Sequence, residues 1–196
     1  MPPVTKLLAV CVLALGLYGC GVNNIPTFEE QAKADWAQVQ NQYKRRADLI
    51  PNLVETVKGY AAQERETLEA VVKARAAATQ ATLPPELLTD PAAFQKFQQA
   101  QGQLGGALSR LLVTVERYPD LKSNQNYLKL QDQLEGTENR IAVARRDYIE
   151  AVRKYNTELV TLPGRLWAMI MYSDKKQMQT FTAEPEAANV PQVKFN

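Results

Sequence analysis

The chain has 196 residues, with 23 basic against 21 acidic side chains, two cysteines and no histidine. Near-balanced charge without a clustered basic excess argues against a nucleic-acid surface. The missing imidazole excludes Ser-His-Asp and Cys-His catalysis and histidine-ligated metal sites.

Lys6 is followed by the apolar run Leu7–Leu17, then by Tyr18-Gly19-Cys20, after which the sequence turns polar. A charge, about ten apolar residues and a small-residue ending describe a secretory leader over residues 1–19. The run is too short for a spanning helix, which needs roughly 20 apolar residues. Leu17-Tyr18-Gly19-Cys20 resembles a lipobox, where cleavage precedes a cysteine carrying diacylglycerol, although Tyr18 is bulkier than the usual residue. Lipidation of Cys20 is therefore expected, with further acyl chains making the tether lasting, since each buried methylene contributes about 0.8 kcal/mol. An uncleaved anchor running on to Val22 and ordinary cleavage remain alternatives. The first two outcomes both hold the domain at a membrane, facing the periplasm or exterior. Gly21 is compatible with an outer membrane if the source is Gram-negative. Cysteine stands only at positions 11 and 20, so the mature domain is expected to contain no disulfide.

Residues 20–26 are expected to act as a tether, 27–181 as the folded domain and 182–196 as an extended tail. Thr27-Phe28-Glu29-Glu30 forms a capping box after Pro26 and predicts a helix start. Phe28, Ala32, Trp36, Val39, Tyr43, Ala47, Ile50, Val54, Val57, Ala61, Leu68 and Val71 then recur at mostly three- and four-residue steps. That stripe keeps its phase through Pro51, which predicts one long helix, kinked there and fading near 78–82. Asp90-Pro91 predicts the next start, as an N-cap followed by proline. Phe94, Phe97, Gln101, Leu104, Leu108, Leu111, Val115 and Tyr118 form a coiled-coil type seam with one polar member. Gly102, Gly105 and Gly106 on this helix suggest a bend or a close helix approach.

Tyr118-Pro119-Asp120 is a turn, and a third helix is expected from Leu121 or Ser123 to Leu162. Its stripe is Leu130, Leu134, Thr137, Ile141, Ala144, Tyr148, Val152, Tyr155 and Leu159, and Pro163-Gly164 ends it. The apolar segment Leu166–Tyr172 is expected to fold back onto the bundle, with contact to a bilayer as the alternative. No segment alternates with period two. The fold class is all-α, an elongated antiparallel up-and-down bundle of three long helices plus a short C-terminal one.

Arg45-Arg46-Ala47-Asp48-Leu49-Ile50-Pro51-Asn52-Leu53-Val54 and Val57-Lys58-Gly59-Tyr60-Ala61 resemble the signature of the LemA family. So do Tyr118-Pro119-Asp120-Leu121-Lys122, Leu134-Glu135-Gly136-Thr137-Glu138-Asn139-Arg140-Ile141-Ala142, Ala144-Arg145-Arg146-Asp147-Tyr148 and Tyr155-Asn156. The ending Pro191-Gln192-Val193-Lys194-Phe195 completes the likeness, which runs from about Ile25 to the end. The chain departs from the pattern at Ile149, where asparagine is usual, and at Gln63, where histidine is common. The resemblance implies a membrane-attached, mainly extracytoplasmic helical domain without a settled activity. It also implies roles in envelope processes, including membrane-organelle formation in magnetotactic bacteria.

Arg46, Asp48, Asn52, Glu138, Asn139, Arg140 and Arg145 are the polar residues placed to form an inter-helix network or a partner-binding surface. No cofactor and no metal is expected: Glu116, Asp120 and Asp132 lack the pattern of a calcium loop. The favoured function is a non-catalytic envelope scaffold or adaptor, with the membrane through Cys20 and another envelope protein as partners, and no nucleic acid. The alternative is a periplasmic hydrolase or ligand-binding module using carboxylates such as Asp48 and Glu138.

Overall fold

The computed structural model describes residues 21–182; the leader expected over residues 1–19, Cys20 and residues 183–196 lie outside the described residues. Every described element is helical: α1 (Asn24–Lys58), α2 (Arg65–Gln80), a 3-10 turn (Pro85–Leu87), α3 (Pro91–Val115), α4 (Pro119–Lys122), α5 (Gln125–Val160) and α6 (Gly164–Ile170). The 35 residues of α1 span about 50 Å at roughly 1.5 Å per residue. Antiparallel pairing with α5 is fixed at both ends. Asn24 donates to Glu158 at 3.1 Å near one, and Asn124 to Tyr60 at 2.9 Å near the other.

The first predicted helix is two helices. Its rod does not continue to residues 78–82 but breaks at Gly59, and α2 returns antiparallel along α1. Ala61, Leu68 and Val71 are buried all the same, because both arms of the hairpin face one core. At Pro51, by contrast, α1 is unbroken. Proline lacks the N–H that would bond the carbonyl four residues back, which leaves the oxygen of Ala47 available. Arg75 of α2 donates its Nε to that oxygen at 2.7 Å. The proline thus frees an acceptor that ties the two arms together.

Other boundaries move by short steps. Residues 24–26 form the first turn of α1, so the capping box at Thr27 does not start the helix. Pro26 is tolerated because the first-turn amides lack helical partners in any case. Asp90 caps α3 as expected, accepting from the amides of Ala92 and Ala93 at 2.9 and 3.2 Å. Asn124 does the same for α5, which begins at Gln125; Leu121 belongs to the separate turn α4. Gly164 opens α6 instead of merely ending α5. A Cβ there would run into the backbone carbonyl and carboxylate of Glu158, so only glycine lets α6 sit this close.

The core has two parts. One end is aromatic, with Trp36 centred 5.1 Å from Tyr148 and 5.2 Å from Phe97, and Phe94 and Phe181 beside them. The other is aliphatic, built on Ile50, Leu53, Leu104, Leu111 and Leu134. Below the end of α2, the chain after α6 fills the fourth position as an extended segment. Gln179 donates its amide to Leu88 at 2.8 Å, Tyr148 donates to the carbonyl of Gln179 at 2.8 Å, and Asn156 bonds Met178 in both directions. Burial pushes the hydroxyls of Tyr148 and Tyr155 up, the latter to about 12, so both stay protonated.

Lys175 anchors this segment on Glu29 at 2.8 Å, and Lys33 joins at 3.0 Å. Burial alone raises the pKa of Glu29, but hydrogen bonds and charge from the two lysines outweigh it and hold it below the ordinary 4.5. A folded pKa below the unfolded one gives stability that is complete above the unfolded value and lost as pH falls through the folded value. Glu29→Gln is therefore expected to flatten the loss of stability on acidification below about pH 4.5, followed by urea unfolding at stepped pH. An acid limb identical to wild type would remove Glu29 from it.

Arg75→Met is expected to cost about 1–3 kcal/mol, the typical loss when a buried acceptor loses a charged donor. In a Pro51→Ala background the Ala47 carbonyl regains a helical donor, and the same change should cost less. Equal costs in both backgrounds, measured by chemical denaturation, would show the two residues to be uncoupled.

Candidate functional site

Between the two core clusters lies a polar layer, and Arg46 of α1 is its centre. The residue is 4% exposed, so its cation needs partners. Nη2 donates to the side-chain oxygen of Gln101 on α3 at 2.7 Å and to its carbonyl at 3.2 Å. Nη1 donates to Glu138 of α5 at 3.0 Å. Gln101 in turn donates Nε2 to the carbonyl of Ala78 on α2 at 3.2 Å. One chain of contacts therefore takes a residue from each of the four main helices.

The guanidinium also lies 5.0 Å from the ring centre of Tyr43, a cation–π contact one helical turn away. Burial raises the pKa of the Tyr43 hydroxyl, while the positive charges of Arg145 and Arg46 oppose that rise. Arg145 covers the ring of Phe181 at 4.2 Å. Thr137, fully buried at the same level, donates to the carbonyl of Gln133 at 2.7 Å and accepts from Arg140 at 3.1 Å.

This layer forms the floor of a groove between α3 and α5. Two hollows of about 260 and 480 Å³ share Gly105 and Glu138 as walls. The first carries Arg46, Gln101 and Arg145; the second is lined by Leu108, Leu112 and Leu134, with Asn139 at its edge. A Cβ built on Gly105 or Gly106 meets nothing within 4 Å among the described residues. Of the bend or close helix approach weighed from the sequence, the close approach is therefore absent at Gly105 and Gly106. These glycines leave backbone bare along one wall.

The seven residues singled out from the sequence divide by place. Arg46, Glu138 and Arg145 share the first hollow, and Asn139 lines the second. Arg140 and Asn139 also face a hollow of about 360 Å³ between α5 and α1, beside Asp35 and Gln42. Asp48 is exposed and lines another, of about 320 Å³, between α1 and α2. Asn52 is exposed on α1 and lines none of these hollows. Asp48 and Glu138, weighed as a carboxylate pair, thus occupy different hollows. Gln101 and Tyr43 belong to the layer but were not among the seven. Gln101 did leave a sign, as the polar member of an apolar seam. Among the described residues no group of three or more Asp, Glu, His or Cys is arranged to hold a metal ion. Among them, too, no helix is long and apolar enough to cross a membrane.

Burial ranks the contacts. The side chain of Glu138 is 48% exposed, so its ion pair is screened and contributes about 0.2–1 kcal/mol. Gln101 is buried, and deleting its side-chain oxygen strips Arg46 of a partner out of reach of water. Gln101→Leu is expected to cost about 2–3 kcal/mol and Glu138→Gln about 1 kcal/mol or less, compared by urea denaturation. The reverse order would contradict this assignment of the cation's main support.

The LemA family model matches residues 35–195, most of the chain. Magnetosome proteins MamQ 1 and MamQ 2 of Paramagnetospirillum magneticum (strain ATCC 700264 / AMB-1) are each 27% identical over 203 aligned residues, covering 93% of this chain and 74% of theirs. Magnetosome protein MamQ of Magnetospirillum gryphiswaldense is 28% identical with the same coverage. With its helical architecture and a match that includes Arg46, Glu138 and Arg145, the chain belongs to the LemA family.

Proposed function

We propose that the protein is a membrane-anchored, extracytoplasmic scaffold or adaptor of the cell envelope, held through acylated Cys20 and receiving another envelope protein in the α3–α5 groove. The observation that carries this reading is the groove itself. Its floor holds a cation whose hydrogen bonds go to protein groups on neighbouring helices, and its wall exposes bare backbone at Gly105 and Gly106. Such a surface suits recognition: a polar layer fixes where the helices stand, and the open wall accepts a chain lying against it. Asp48 and Glu138 do not line a common hollow, so this pair lends no support to a carboxylate hydrolase. The leader and Cys20 in the sequence support the anchor, and the relatives' magnetosome names are in keeping with a membrane setting.

A photo-crosslinking residue at Gly106 in intact cells is expected to give a discrete adduct, while one at exposed Val72 on α2 gives none. The same products at both positions, or only the monomer at both, would contradict the groove as the partner site. Mass spectrometry of the mature N-terminus is expected to find an acylated Cys20. An intact leader or an unmodified thiol would contradict that anchor.

A further inference from the structure

Thirteen large apolar side chains stay exposed among the described residues, and six of them fall within residues 160–171: Val160, Leu162, Leu166, Met169, Ile170 and Met171. The other seven are scattered over the rest of the bundle, as isolated surface apolar residues normally are. The cluster centres on α6. Trp167 and Ala168 of that helix, and Tyr172 just beyond it, pack on the aromatic core. Leu166, Met169 and Ile170, spaced by three and four residues, occupy its solvent side. This short helix is therefore apolar on both faces, and one of them has no protein cover among the described residues. Docking onto the core, expected from the sequence, accounts for only half of it.

The place of the patch says what covers it. Residue 21 directly follows Cys20, and a Cβ built on Gly21 would stand 3.5 Å from the ring of Pro163, one residue before α6. Asn24 is bonded to Glu158 in the same corner. The fit of Gly164 against Glu158 fixes α6 there. Consecutive Cα atoms lie only about 3.8 Å apart, so an anchor at Cys20 reaches the folded domain with no slack. A membrane holding that cysteine would lie against the α6 end of the bundle. Arg165 on α6 and Lys176 just beyond the patch are exposed, against one exposed carboxylate, Asp174, which leaves a net positive charge where anionic headgroups would be met.

We propose that residues 160–171, centred on α6, form a bilayer-contact face, with Leu166, Met169 and Ile170 seated among lipid headgroups and upper acyl chains. This rests on the membrane-anchored reading and adds an orientation to it: the bundle stands on its α6 end, with its far end carried away from the membrane. A helix with apolar side chains on one face and cations near it binds an interface in this way without spanning it.

The test uses the full chain reconstituted in vesicles of phosphatidylethanolamine and phosphatidylglycerol, some containing lipids with a nitroxide near the headgroup. A fluorescent noncanonical residue is placed at Ile170 or, as a control, at Val113 near the opposite end of the bundle, both being strongly exposed. Nitroxide lipids are expected to quench the probe at position 170 several-fold more than that at 113. A chain that floats with the vesicles while both probes stay equally unquenched would overturn the contact face and leave the anchor standing. So would a probe at 170 that is shielded from water yet insensitive to nitroxide lipid, the result expected if a second copy covers the patch. A chain that does not float with the vesicles at all would overturn the anchor and the contact face together.

Discussion

A single buried cation organises this bundle. Arg46 sits where an aromatic core meets an aliphatic one, and its hydrogen bonds reach α3 and α5 directly and α2 through Gln101. Burying a charge is expensive unless it is paired. Arg46 pairs through both Nη atoms, its buried Nε making no hydrogen bond among the described residues, and sliding one of these helices by a turn removes such partners. The aliphatic core penalises such slides weakly, because similar-sized apolar side chains exchange places at modest cost, while the aromatic cluster around Trp36 penalises them more. The polar layer therefore adds a penalty for other registers where the aliphatic core is permissive. The contact between Arg75 and the carbonyl freed by Pro51 applies the same logic to the hairpin of α1 and α2.

Fixing the helices also shapes the surface. The hollows between α3 and α5 exist because those helices are held by a shared contact to Arg46 while Gly105 and Gly106 put no side chains into the gap. The wall is thus built by what the helices lack, and the floor by the residue that positions them. At the end of the bundle near Gly21 the extended segment around Met178 and Phe181 completes the aromatic core, and its lysine clasp on Glu29 depends on an ionised carboxylate. Structure and surface chemistry in this protein share residues.

Much of this was legible in the sequence. The stripes of α1, α3 and α5 picked out buried residues, since three- and four-residue spacing reports one helix face directly. The cap at Asp90 was equally plain. The hairpin was not: Val57, Ala61, Leu68 and Val71 keep helical spacing across the turn, and a stripe cannot distinguish a straight helix from two arms facing one core. Pro51 suggested a kink within one continuous rod, whereas the break lies eight residues later, at Gly59. Arg46, Glu138 and Arg145 were three of seven polar residues expected to form an inter-helix network or partner surface, because charges near the middle of long helices need partners, and these three line one hollow. Asp48 and Asn52 shared the same stretch of sequence, but their positions on α1 face outward. Gln101 was visible only as an irregularity in a seam, because a polar residue shows no partner until the helices are assembled.

The central claim is that the Arg46 layer chooses one helix register. The direct measurement is the distribution of distances between spin labels at Gly106 on α3 and Asn139 on α5, in wild type and in a chain carrying Arg46→Met, Gln101→Leu and Glu138→Leu together. Apolar replacement of a buried ionic cluster is often neutral or stabilising, so the triple variant is expected to remain helical while its single distance spreads into several. A variant that keeps one distance, as narrow as the wild type, would contradict the claim.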